Sequence, residues 1–126
     1  MFEPKVHTGQ TDLLVQALLA LENEEDAYRF LEDLCTIPEI RSISQRLEVA
    51  LLLRHGEKYT HIADRTGAST ATISRVNRAL SYGADGYNRV LNRLKGDGEW
   101  DGKQSEAEEE KRDESDSTEQ RATHRS

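Results

Sequence analysis

Apolar residues recur along this chain at the spacing of helix faces. Leu14, Ala17, Leu18 and Leu21 form one stripe, and Leu13, Val15 and Leu19 widen it beyond what a surface helix normally shows. Thr11 or Asp12 is expected to open this helix. Asn23 followed by Glu24, Glu25 and Asp26 reads as a cap with acids in the first turn, where the helix dipole favours them. The helix that follows would turn Ala27, Phe30, Leu31 and Leu34 inward and end near Cys35. Thr36 and Glu39 stand at capping-box spacing around Pro38, which predicts a restart and a long helix to about His55. Along it Ile40, Ile43, Leu47, Ala50 and Leu51 share one side, while Val49, Leu52 and Leu53 occupy another. Gly56 closes it. So much apolar surface on two helices calls for burial on more than one side, and a domain of about 85 residues gains from pairing with a second copy.

The stretch from Tyr59 to Leu80 has the punctuation of a helix-turn-helix. Ile62, Ala63, Ile73 and Val76 fall where two crossing helices press together, and Ala63 is small enough for a close approach. Gly67 stands where the first helix must stop, because the residue just past a helix end usually takes φ > 0. Ala68 continues the turn, Ser69 can cap the second helix, and that helix begins near Thr70. Its outward residues are Thr70, Ala71, Thr72, Ser74, Arg75 and Arg78, small groups followed by two guanidiniums and no carboxylate. Further on, Gly83 suits a C-terminal cap and Asp85 the start of a last helix from Tyr87 to Leu94. That helix would set Tyr87, Val90, Leu91 and Leu94 at core spacing.

Net charge sharpens this picture once it is divided. The chain of 126 residues carries −7 overall, which taken alone speaks against a nucleic-acid partner. Residues 1–53 hold 4 Lys/Arg against 10 Asp/Glu, residues 54–95 hold 8 against 3, and residues 96–126 hold 5 against 11. Positive charge is thus concentrated around the hairpin, as backbone phosphates require. The expected organisation is a flexible N-terminal arm over 1–10, a helical domain over 11–95 and a disordered acidic tail over 96–126. Trp100 is the tail's one large apolar group, too little to offset chain entropy. A lone cysteine, Cys35, permits no internal disulfide, and no run approaches a membrane span, so a cytoplasmic setting is expected.

From Leu34 to Leu80 the residues resemble the Trp repressor superfamily, most closely its YerC/YecD-like members. The matching features are Thr36 before a proline-initiated helix, Arg46 within Ser44-Gln45-Arg46-Leu47, the Gly56-Glu57 break, and Gly67-Ala68 followed by Ala71-Thr72-Ile73-Ser74-Arg75. Less specific helical matching extends the likeness to about residues 11–95. The resemblance implies an all-α, Trp-repressor-like helical bundle that forms an intertwined homodimer and binds double-stranded DNA at a roughly palindromic operator. It also implies a possible effector pocket: Arg46 and Arg75 correspond to two arginines that enclose the corepressor, and Thr36 to a contacting threonine. Val76 replaces a glycine and projects bulk toward the space of an indole, and Ala79 replaces a serine that helps hold the ligand's amino group. Tryptophan is therefore not the expected ligand, and no cofactor is expected.

Other chemistry finds little support in the residues. His7, His55, His61 and His124 are scattered with no helical metal-ligand spacing, and the serines and threonines lack a nucleophile-elbow context. The chain reads as a non-enzymatic, sequence-specific transcriptional regulator, and the resemblance implies a repressor. Thr60, Ser69, Thr70, Thr72, Ser74, Arg75 and Arg78 are its candidate DNA-binding set, Thr60 as a phosphate contact. The alternative is a helical protein–protein interaction module that uses the same hairpin without reading DNA sequence.

Overall fold

Six helices follow one another in the computed structural model, which describes residues 2–94: α1 Gly9–Leu19, α2 Glu24–Leu34, α3 Ile37–Arg54, α4 Tyr59–Thr66, α5 Thr70–Tyr82 and α6 Gly86–Arg93. No strand occurs among the described residues, in keeping with the all-α expectation. The tail expected over 96–126 lies outside them, as does Lys95.

The first helix opens earlier than expected. Thr8, not Thr11 or Asp12, is the cap: its hydroxyl accepts from the Thr11 N–H at 3.1 Å, and its own N–H donates to Thr11 Oγ1 at 2.8 Å. Thr11 closes a capping box from inside the helix, and its hydroxyl also donates to the Val6 carbonyl. Two threonines three residues apart do here what a Ser/Thr–Glu pair usually does. Helix α2 starts as expected, with Asn23 Oδ1 accepting from the Asp26 N–H at 2.8 Å, and it stops at Cys35. Ala27, Phe30 and Leu31 are half-buried, whereas Leu34 is 52% exposed, so the inward stripe ends one turn short of the expected one.

Helix α3 has the predicted capping box. Glu39 N–H donates to Thr36 Oγ1 at 3.2 Å, and the Thr36 N–H donates to Glu39 Oε1 at 2.8 Å. The Thr36 backbone N–H, and then its hydroxyl, hold the Glu39 carboxyl below its ordinary pKa of 4.5. A carboxyl with a depressed folded-state pKa contributes stability above its unfolded-state value, and that contribution is lost as pH falls through the folded one. Glu39→Gln is therefore expected to be less stable than the parent at neutral pH, with the gap shrinking as pH drops below about 4.5. Urea unfolding across that range checks this; a gap that stays constant with pH contradicts it.

At its other end α3 stops in a Schellman arrangement. Gly56 takes φ 78°, its N–H donates to the Leu53 carbonyl at 3.0 Å, and the Glu57 N–H reaches the Leu52 carbonyl at 3.1 Å. The core begins just before this stop, with Val49, Ala50, Leu51 and Leu52 all buried. Helix α3 packs against both α2 and α4. Ile62, Ala68, Ile73 and Val76 complete the buried set up to residue 79.

Helices α1 and α2 contain no buried residue. Leu13, Leu14, Val15, Leu18 and Leu19 of α1 and Ile37, Ile43 and Leu47 of α3 all lie exposed. No helix among the described residues is long and apolar enough to cross a membrane.

The chain divides between Ala79 and Leu80 into two compact units. In the second, Gly83 directly follows α5 and Asp85 stands at the N-cap of α6, as expected, with Asp85 in the left-handed region at φ 65°. Aspartate tolerates this conformation better than most residues. Asp85 makes no side-chain cap to the backbone of α6; instead the Asn88 amide donates to Asp85 Oδ1 at 3.2 Å and to the Leu80 carbonyl at 3.0 Å. Leu91 is buried, while Val90 and Leu94 are about half exposed.

Candidate nucleic-acid interface

The hairpin is made by α4 and α5 and by the three residues between them. Gly67 ends α4 in the left-handed region, φ 74°, with its N–H on the Ala63 carbonyl at 2.9 Å, as its position predicted. Thr66 locks the same turn from inside: its hydroxyl donates to the Ile62 carbonyl at 2.7 Å and accepts from the Ala68 N–H at 3.1 Å. Ala68 is buried, so the turn is anchored by a methyl group as well as by hydrogen bonds.

A further hold on the turn comes from outside the hairpin. Gln45 of α3 donates from Nε2 to the Thr66 carbonyl at 3.1 Å, across 21 residues of sequence. A Cβ added to Gly67 would meet the same nitrogen at 3.8 Å. The sequence holds no local signal for this bond, because Gln45 is one polar residue on a long helix and its partner is a backbone atom.

Helix α5 begins where expected. Ser69 Oγ accepts from the Thr72 N–H at 3.1 Å and lies 3.0 Å from Thr72 Oγ1, so the two hydroxyls are joined in the cap. Ile73 and Val76 are buried and fix which face of α5 turns outward. Thr70, Ala71, Ser74, Arg75 and Arg78 are exposed on it; Ser69 is exposed at the cap and Thr72 is half-buried. No acidic residue lies in the first turn of α5.

Helix α4 also starts without an acid in its first turn and without a side-chain cap from Lys58. Its first N–H groups and the exposed Thr60 are open to an anion, as at other helix N-termini. Nearby, the exposed His61 approaches Glu57 at 3.5 Å.

The positions expected around an effector separate by role. Thr36 caps α3 with its hydroxyl, Arg46 and Arg75 are exposed on α3 and α5, and Val76 is 2% exposed. Ala79 is half-buried.

Comparison with known proteins agrees with this geometry. The profile of the Trp repressor protein family matches residues 9–95. The uncharacterized protein YerC of Bacillus subtilis is 53% identical over 91 residues, 72% of this chain and 88% of that protein. Among solved structures, a TrpR-like protein from Eubacterium eligens superposes with a TM-score of 0.68 at 58% identity, covering 71% of this chain and 93% of the other. A candidate Trp repressor from Staphylococcus aureus gives 0.67 at 49% identity, covering 71% and 89%. The fold is that of the TrpR-like proteins.

Proposed function

This chain belongs to the Trp repressor family, and on that premise we propose that it is a sequence-specific DNA-binding transcriptional regulator, acting as a repressor. The observation that carries this reading is the outer face of α5. It exposes small hydrogen-bonding side chains at its start and Arg75 and Arg78 beyond them, with no acid in its first turn. Small residues let a helix backbone come close to base edges, and arginines farther along reach guanine or phosphate. Ser69, Thr70, Thr72, Ser74, Arg75 and Arg78 form the groove-facing set in this reading, and Thr60 at the uncapped start of α4 meets a phosphate.

The active species in this proposal is a homodimer. Helix α1 exposes a run of leucines that a solvated monomer has no use for, with Leu19 80% exposed. Two copies related by a two-fold axis would read a palindromic operator, with each hairpin in one half-site. In this reading the dimer works without a tryptophan corepressor, because Val76 stands where the family resemblance places a glycine and Ala79 where it places a serine. The setting is the cytoplasm, and the activity is binding rather than catalysis.

Selection from a random duplex library tests this. The expected result is enrichment of a motif with two-fold symmetry. No enrichment at low salt would favour the other reading, a helical interaction module. Against that module, residues 69–78 expose no large apolar anchor of the kind a dry protein interface uses.

A further inference from the structure

Within the DNA-reading function proposed above, on which this rests, we infer that the hairpin recognises the 5-methyl group of a thymine through Ala71. The rotation of α5 is fixed by Ile73, 0% exposed, and Val76, 2% exposed. At 100° per residue, Ala71 lies roughly 170° around the helix from the midpoint of those two, on the line farthest from the core. Arg75 and Arg78 follow it at i+4 and i+7 on the same line. Ala71 is exposed and stands in the first turn, the end of a reading helix that meets base edges.

What surrounds Ala71 matters as much as its position. The Ser69 and Thr72 hydroxyls flanking it are bonded to each other at 3.0 Å, and Ser69 also holds the Thr72 N–H. At the leading point of the helix the protein thus presents a methyl group, with the Ser69 and Thr72 hydroxyls engaged in the cap and the exposed Thr70 and Ser74 displaced from Ala71 around the helix by roughly 100° and 60°. Among the groups displayed in the major groove, the thymine methyl is the apolar one, and contact with an alanine methyl is its natural complement. A hydrogen-bonding base edge at that point would lose its water and gain no partner from Ala71.

The test uses the full chain and the duplex enriched by selection, with each thymine replaced singly by deoxyuridine. That change removes one methyl and leaves base pairing intact. One thymine in each half-site is expected to show about fourfold weaker binding on replacement, the scale of one methyl group withdrawn from water. In Ala71→Gly the ratio of thymine to deoxyuridine affinity should fall to near one, whatever the change in overall affinity. Ala71→Ser, which keeps a helix-compatible side chain but places a hydroxyl there, should lower the same ratio.

A preferred duplex indifferent to every replacement would overturn the thymine assignment alone. A sensitive thymine whose ratio persists in both variants would overturn the role of Ala71. Absence of any preferred duplex would overturn the parent reading, so the two failures are distinct.

Discussion

Ile73→Ala is expected to lower the free energy of unfolding by about 2–5 kcal/mol, the range for truncating a close-packed isoleucine. Ile73 is fully buried, as is Ile62 on the preceding helix. The loss combines the removed burial with the void left behind, because a close-packed core relaxes only partly around a deleted side chain. Against a typical total of about 5–15 kcal/mol, such a change is large. Urea unfolding at one fixed protein concentration measures it; the concentration matters because association stabilises folded chains by mass action. Ile73→Val, one methyl smaller, should cost only about 0.5–1.5 kcal/mol. Equal small effects from both substitutions would mean that this part of the core is loosely filled.

Arg75→Ala is expected to weaken binding to the selected duplex by about 1–3 kcal/mol per half-site, roughly a five- to 150-fold loss, if the guanidinium grips a base in two places. Arg75 is exposed on the outer line of α5, one turn beyond Ala71, and the proposed reading brings its guanidinium to base edges. The distinguishing measurement is a panel of duplexes over a salt series. Base reading relaxes the preference at one position and leaves nonspecific binding nearly unchanged. Phosphate contact weakens every sequence alike and reduces the salt slope by about one. Arg75→Lys separates charge from geometry, since lysine keeps the cation but lacks the planar fork. Uniform weakening across the panel would move Arg75 to the backbone-contacting set.

The elements of this fold were legible where local chemistry decides them. Thr36 with Glu39, Asn23 before three acids, and Gly56 and Gly67 at helix ends each announce a boundary through a bond or a φ value available to few residue types. Where two residue types can do the same work, the reading slipped. Thr8 took the cap expected of Thr11 or Asp12, and Asp85 holds the expected cap position of α6 without a side-chain bond to that helix's backbone. The buried line of Ile62, Ile73 and Val76 followed from helical spacing, and that line in turn sets the outward face of α5. Spacing did not reveal that the Ser69 and Thr72 hydroxyls pair with each other, because hydroxyl partners depend on rotamers that the sequence leaves open. Leu34 shows a second limit: an apolar residue at core spacing stays exposed when the helix it belongs to ends beside it.

The amide of Gln45 on the Thr66 carbonyl bears on how such a hairpin could be reused. A fragment cut from Tyr59 to Tyr82 and transplanted to another scaffold would carry both helices and the glycine between them, yet arrive without the Gln45 amide on that carbonyl. The turn that leads into α5 is held partly from α3. Swapping recognition residues into this framework should therefore succeed more readily than moving the framework's two helices elsewhere.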